Sequence, residues 1–359
     1  MTKESFLVSA RKYRPQNFET VIGQNAVTNT LMQAIENNQL AQAYLFCGPR
    51  GVGKTSCARI FAKEINRKAD PEGAADFSFN LFELDAASNN SVDDIRGLIE
   101  QVRIQPQKGK YKVYIIDEVH MLSQSAFNAF LKTLEEPPKY AIFILATTEK
   151  HKIIPTILSR CQVFDFHRIT PQDTVKHLEK IAAKEGVTAD KDALYLVAEK
   201  SDGGMRDALS IYDQLVSSCQ GHISYEKTVE YLNILDIKQY LSLSDPILEG
   251  NIAHCLLTLN DLLLKGFDAH QFLLGLGQHF RNLLTAQSAA SQSLLQMAST
   301  FQSQYVEQAK LFSKEFLFIA LDELATADTQ YKSTKNQRLL VEITLLKLCS
   351  LQEHLKKKN

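Results

Sequence analysis

The chain has 359 residues, of which 45% are hydrophobic and 23% charged, an ordinary globular composition long enough for two or three domains. Forty basic and 41 acidic residues leave a formal charge of −1, so no global basic field is present to hold nucleic acid, and any DNA contact must come from local geometry or partner chains. No apolar run approaches a membrane span, Met1 to Ala10 is too short and mixed for a signal peptide, and the six scattered cysteines lack C-x-x-C spacing; they read as reduced core residues of a cytosolic protein rather than a disulfide framework or zinc site.

In chain order, Ala10 to Gln24 brings together Arg11, Lys12, Tyr13 and Arg14, then Pro15 and a Val21-Ile22-Gly23 turn. Such a segment could wrap the adenine end of a nucleotide or be a plain surface lead-in. A helix with apolar positions Val27, Leu31, Met32 and Ile35 follows. Tyr44 to Cys47 then reads as a short buried strand and Ser56 to Ile65 as a helix. Between them, Gly48-Pro49-Arg50-Gly51-Val52-Gly53-Lys54-Thr55 fits the pattern G-x-x-x-x-G-K-[ST] at every fixed position. A strand passing through a glycine turn into a helix N-terminus points several N–H groups and the positive helix end at one spot, which makes a phosphate cradle. Gly51 and Gly53 let the backbone approach, Lys54 reaches the β- and γ-phosphates, the Thr55 hydroxyl is placed for Mg²⁺, and Ser56 completes the first turn.

Asn66 to Asn80 is loop-like and contains no cysteine. Leu81 to Leu84 reads as a second strand, and Ser91 with Asp94 starts a helix carrying Ile95, Leu98 and Val102. Lys112 leads into Val113 to Ile116, an unbroken apolar run with β-branched residues that ends in Asp117-Glu118, the profile of a central parallel strand with its acids at the ligand end. Asp117 is placed to hold Mg²⁺ and Glu118 to polarise an attacking water, although an acidic pair can also be just the polar end of a strand. A helix from Ser125 to Leu134 and a strand from Ala141 to Ala146 lead to Thr147-Thr148, whose hydroxyls could orient water or sense a γ-phosphate. Arg160, in Leu158-Ser159-Arg160-Cys161, is too far along the chain to be assumed part of its own pocket. It is either a surface arginine or a rigid cation presented to a neighbouring subunit.

From His167 the periodicity is helical, and Arg206, after a Gly-Gly turn, is a candidate to swing onto the nucleotide as domains close. Helices at 252–264, 272–287, 316–327 and 336–351 carry more apolar surface than a lone helical hairpin needs, so part of it can face other chains or fill a self-contained core. The expected architecture is an α/β P-loop NTPase domain with a parallel sheet over 1–166, a small helical lid over 167–235, and an all-α oligomerisation domain over 236–359.

These motifs resemble the AAA+ ATPases, and within them the gamma/tau subunits of the bacterial DNA polymerase III clamp loader. Carrying the likeness are Tyr13-Arg14-Pro15, Val21-Ile22-Gly23-Gln24, the P-loop, Asp117 to Leu122, Phe127 to Pro138, Leu145 to Thr148, Ser159-Arg160-Cys161 and Arg206 to Ser210. The resemblance implies ATP and Mg²⁺ as ligands, Thr148 as sensor 1, Arg160 as an arginine finger acting in trans, Arg206 as sensor 2, and Tyr13, Arg14, Val21 and Ile22 around the adenine. Implied partners are delta- and delta-prime-type subunits, further copies of the chain, a sliding clamp and primer-template DNA, with polymerase core and helicase reached through a longer tail. Arg96 and Arg103 are the candidate DNA contacts, or are solvated. A nucleoid-associated position at the replication fork follows. The resemblance also implies membership of a DNA-directed DNA polymerase holoenzyme, with no polymerase site in this chain. Where the family commonly carries a four-cysteine zinc module, this sequence has none, so no zinc is expected. The rival readings are a branch-migration helicase or another remodelling motor, and a scaffold that binds ATP without turning it over.

Overall fold

The computed structural model describes residues 8–69, 77–219, 221–295, 297 and 299–358. It divides into two compact units, 1–188 with 197–221 and 189–196 with 222–359.

The first unit is built on a five-stranded parallel sheet. Its elements run α1 (Ser9–Lys12), α2 (Asn25–Glu36), β1 (Ala43–Cys47), α3 (Lys54–Ala69), β2 (Leu81–Asp85), α4 (Val92–Val102), β3 (Lys112–Asp117), α5 (Gln124–Glu135), β4 (Ala141–Thr147), α6 (Pro155–Leu158) and β5 (Gln162–Asp165). The strand order is β2-β3-β4-β1-β5, which sets β4 between β1 and β3. Period-two alternation explains why the inner strands are apolar throughout. Tyr44 and Phe46 of β1, Ile115 of β3 and Ile144 of β4 pack with Leu31 of α2 and Phe61 of α3 on one face. Leu45, Ile116 and Phe143 point the other way, onto Ile95 and Leu98 of α4 and Phe127 and Phe130 of α5. Truncating a fully buried ring such as Phe46 to alanine costs about 3–5 kcal/mol.

Ser91 caps α4 as its spacing predicts: its Oγ accepts from the Asp94 amide at 3.2 Å, and Asp94 Oδ2 accepts from the Ser91 amide at 3.1 Å. Asn66, read as the start of a loop, instead lies inside α3 with its side chain buried. There its Oδ1 accepts from the amides of Lys110 and Tyr111 at 3.3 and 3.0 Å, which pins the turn before β3. Of the rest of that expected loop, 67–69 continue α3, Phe77–Asn80 form a 3-10 turn, and 70–76 lie outside the described residues.

The lid helices are α7 (Pro171–Glu185), capped by Thr170 and closed by left-handed Gly186, then α8 (Lys191–Lys200), whose first turns belong to the second unit, and α9 (Met205–Ser218). The second unit continues with α10 (Tyr225–Leu232), α11 (Ile237–Glu249), α12 (Ile252–Leu264), α13 (Ala269–Ala286), α14 (Ser299–Ala309), α15 (Lys314–Tyr331) and α16 (Gln337–Lys358) around Phe272, Phe280, Phe316 and Leu345. From sequence, α10 was grouped with the lid, ahead of a boundary at 235/236. Its Tyr225 ring instead packs at a tilt against Phe301 and its hydroxyl donates to Asp236 Oδ1 at 3.0 Å, which gathers α10 into the second unit. Leu257, Leu264, Phe318, Leu339 and Ile343 remain exposed on the outer helix faces of this unit. Among the described residues, no helix is long and apolar enough to cross a membrane.

Candidate nucleotide site

The loop after β1 is fixed at both ends by the sheet. The Gly48 amide donates to the Thr147 carbonyl at 3.1 Å, and the Phe166 amide donates to the Cys47 carbonyl at 2.7 Å. Gly48 (φ +146°), Gly51 (+77°) and Gly53 (+106°) all sit where L-residues are strained, so the tight turn depends on glycine. The chain then enters α3 at Lys54, aiming the unpaired amides of its first turn at the cavity below. Lys54 is 6% exposed; its ammonium donates to the Gly48 and Pro49 carbonyls at 2.6 and 2.7 Å, contacts that a phosphate oxygen can replace. Burial pushes its pKa down, opposed by the nearby carboxylates of Glu118 and Asp117.

Thr55 and Asp117 meet directly, Thr55 Oγ1 donating to Asp117 Oδ2 at 2.8 Å, while Asp117 Oδ1 accepts from the Glu118 amide at 3.0 Å. Glu118 has a left-handed backbone (φ 47°), a strained state for a side-chain-bearing residue that turns the chain sharply at the end of β3. Glu118 Oε2 accepts both the amide and the hydroxyl of Thr148 at 3.1 and 3.0 Å. The acid after β3 and the hydroxyl after β4 are therefore a bonded pair.

These groups border a cavity of about 900 Å³. Of the residues singled out from sequence, Tyr13, Arg14, Val21, Ile22, Arg50 to Ser56, Asp117, Glu118 and Arg206 line it. Gly48 and Pro49 contribute through the carbonyls that hold Lys54, and Thr148 through Glu118. Arg14 donates from Nε to Ser56 Oγ at 3.2 Å, joining the N-terminal segment to α3, and burial lowers its pKa. The Tyr13 hydroxyl is engaged with Glu185 of α7, which also takes Lys12 Nζ at 2.6 Å, and the Ser9 amide donates to Asp213 of α9 at 2.6 Å. The N-terminal segment thus straps the lid to the cavity. A Cβ on Gly51 would stand 3.2 Å from the Gly204 Cα and 3.5 Å from the Arg206 Cβ, so the start of α9 rests on the P-loop and carries Arg206 there.

Arg160 does not border this cavity. Its guanidinium donates to the Thr156 carbonyl and to Glu135 Oε1, each at 2.8 Å, on another part of the surface with the side chain 34% exposed. Arg96 pairs with Asp93 at 3.2 Å on exposed α4, and Arg103 caps the end of that helix. Among the lining residues that the sequence did not mark as site residues are Arg59, Glu83, His177 and Leu209. Arg59 stands one helical turn past Thr55 and pairs with Glu83, a spacing that could have been read; His177 and Leu209 arrive only through lid packing. Cys47 and Cys57 flank the loop as neutral thiols, burial pushing them up to about 11 and about 12.

A parallel sheet with a glycine loop and lysine after β1, an acid pair after β3, a hydroxyl after β4 and a helical lid defines a P-loop NTPase of the AAA+ class. The model of the DNA polymerase III delta subunit family matches residues 23–170, that of the DNA polymerase III clamp loader ATPase lid domain 173–221, and that of domain III of DNA polymerase III subunits gamma and tau 223–359. The chain is 39% identical to the tau subunit of Bacillus subtilis over 96% of its length and 63% of the relative's. It is 41% identical to the tau subunit of Escherichia coli over 74% of its length and 43% of the relative's. It is 30% identical to the gamma subunit of Buchnera aphidicola over 96% of its length and 99% of that protein's. The chain belongs to the DNA polymerase III gamma/tau family. It spans only 43–63% of the two tau relatives' own lengths. A mutant of Thermotoga maritima RuvB shares the fold, with a TM-score of 0.50 and 21% identity over 66% of this chain and 80% of that one.

Proposed function

We propose that this chain is the ATP-hydrolysing subunit of a clamp loader, which uses ATP to open a sliding clamp and place it on primed DNA and uses hydrolysis to let it go. The observation that carries the reading is the convergence of Lys54, the Thr55–Asp117 pair and the Glu118–Thr148 pair on one cavity. In it, the P-loop amides and Lys54 hold the phosphates, and Tyr13, Arg14, Val21 and Ile22 stand around the base. Arg206, brought by the lid, meets the phosphates from above. Thr55 and Asp117 supply the hard oxygen donors that Mg²⁺ takes, and the ion bound there would neutralise charge on the β- and γ-phosphates. Glu118, its carboxylate aimed by the two bonds from Thr148, orients and polarises the attacking water.

Arg160, outside its own cavity, is the cation proposed to complete the site of a neighbouring copy or partner subunit, so that ATP bridges protomers and loss of the γ-phosphate removes the bridge. The exposed apolar residues on α12, α15 and α16 support assembly with delta- and delta-prime-type subunits and further copies. The polymerase core and helicase are partners proposed for a longer form of the protein. The test is ATP binding and DNA-stimulated phosphate release in the assembled complex. Lys54→Ala should abolish ATP binding. Arg160→Ala should retain binding and lose about 10³-fold in turnover. Unchanged affinity in the first variant defeats the pocket assignment, and full turnover in the second defeats the trans role.

A further inference from the structure

His120 belongs to neither the P-loop nor the cavity wall, yet it lies beside the bonded Glu118–Thr148 pair, touching Glu118 and both chain neighbours of Thr148. It lies in the 3-10 turn Val119–Met121 that follows strained Glu118, with its side chain 6% exposed. Its Nδ1 is 3.0 Å from Thr147 Oγ1 and 3.4 Å from Glu118 Oε2, and its Nε2 is 2.9 Å from Glu149 Oε2. The residues it touches on β4 and just beyond it therefore flank Thr148 on both sides.

The protons in this cluster can be placed from its neighbours. Thr147 Oγ1 already accepts from the Glu149 amide at 3.0 Å, which leaves its hydroxyl proton free to go to His120 Nδ1. Nε2 then carries the ring proton and donates it to Glu149. Lys152, 2.9 Å from the same carboxylate oxygen, holds the Glu149 carboxyl below its usual range and keeps it an acceptor.

We propose that His120 is a positioning residue for hydrolysis: by binding Thr147 and Glu149, it sets Thr148 at the distance from Glu118 that the water-orienting step requires. The role rests on reading Glu118 as the group that acts on water. Because the imidazole is apart from the phosphate cradle, its loss acts on turnover and leaves nucleotide capture alone.

The experiment measures ATP turnover and ATP affinity in the assembled complex of the full chain. His120→Phe keeps the ring and loses both bonds; kcat should fall about tenfold while KM and the ATP dissociation constant stay within about twofold. His120→Gln can donate to Glu149 and accept from Thr147, and should recover to within about threefold of the unmodified chain. Combining His120→Phe with Thr148→Ala tells a route through the Glu118–Thr148 pair from general loosening. Under this proposal the double variant is no slower than its slower parent. Unmodified turnover in His120→Phe, equal losses for Phe and Gln, losses matched by weaker ATP binding, or additive losses in the double variant would each overturn it. Failure of the underlying reading shows separately, as full turnover in Glu118→Gln.

Discussion

Two glycines of the P-loop share an unfavourable backbone state and differ in what surrounds them, which gives a graded prediction. At Gly53 (φ +106°) an added Cβ meets nothing closer than Val21 Cγ1 at 3.8 Å, so alanine costs only the dihedral strain, about 1–2 kcal/mol. At Gly48 (φ +146°) the same atom would lie 2.9 Å from the Phe166 Cβ and closer still to its carbonyl oxygen. Phe166 is bound to the end of β1 through its own amide, so backbone must move, adding about 1–3 kcal/mol. A residual entropic gain of about 0.4–1 kcal/mol from replacing glycine offsets part of each loss. The net is about 1 kcal/mol for Gly53→Ala and about 3 kcal/mol for Gly48→Ala. In a unit of this size 1 kcal/mol moves the melting midpoint by about 2–4 °C, so scanning calorimetry without nucleotide should show falls of about 3 °C and about 9 °C. With ATP and Mg²⁺ at about a hundred times the dissociation constant, the unmodified chain gains about 2.7 kcal/mol. Gly48→Ala should keep that gain, and Gly53→Ala, whose methyl stands in the cradle, should lose at least half of it. An equal or larger fall for Gly53→Ala without nucleotide would refute the steric reasoning, and an intact ATP shift in that variant would refute the cradle.

Glu118→Gln retains a carbonyl oxygen to accept both Thr148 bonds, so ATP binding should stay within a few-fold while phosphate release falls by about 10²–10⁴; release at the unmodified rate would remove Glu118 from the chemistry. In the second unit, burial pushes His279 down to about 3 between the Ser244 hydroxyl at 2.7 Å and the Tyr305 hydroxyl at 2.9 Å. Between about pH 3 and 6.5 the unfolded chain binds a proton that the native one does not, so this contribution is complete above pH 6.5 and is lost as pH falls, at up to about 1.4 kcal/mol per pH unit. Urea midpoints followed from pH 7 to 4.5 should decline more steeply in the unmodified chain than in His279→Gln, and parallel curves would exclude His279 as the cause.

What could be read from the sequence was whatever a local period or fixed spacing encodes. The inner strands were plain because both faces of a central parallel strand are covered, so Tyr44 to Cys47 and Val113 to Ile116 carry no polar residue to blur them. The P-loop and acid pair were plain because phosphate capture constrains contiguous backbone. Helix α11 was missed because Pro246 interrupts its pattern; the proline is tolerated near the C-terminal end, before left-handed Gly250. Helix α14 was missed because a polar sequence, Ser299 to Ala309, hides the few positions that reach the core, such as Phe301 and Tyr305. Asn66 was misread because asparagine favours loops unless a distant segment offers amides to its side chain, as 110–111 do here. The bond between Glu118 and Thr148 and the contacts of His120 with Thr147 and Glu149 join residues 27 to 30 positions apart, and no spacing rule connects them.

The role in trans proposed for Arg160 requires that its present contacts be easy to surrender, and their energetics permit it. Its partners on the same protomer are the Glu135 carboxylate and one backbone carbonyl, both at 2.8 Å, with the Arg160 and Glu135 side chains 34% and 49% exposed. A solvent-screened pair of that kind contributes about 0–1 kcal/mol. A guanidinium delivered to the phosphates of a neighbouring site makes charge-assisted bonds roughly twice as strong as neutral ones. On that proposal, Glu135 is a parking position that holds the arginine until a neighbour presents a triphosphate. Removing it by Glu135→Gln should leave the ATP cavity untouched and alter only how readily adjacent protomers engage. A nucleotide affinity that changed in the unassembled chain carrying Glu135→Gln would place Arg160 within reach of its own cavity and contradict the separation on which the intersubunit switch depends.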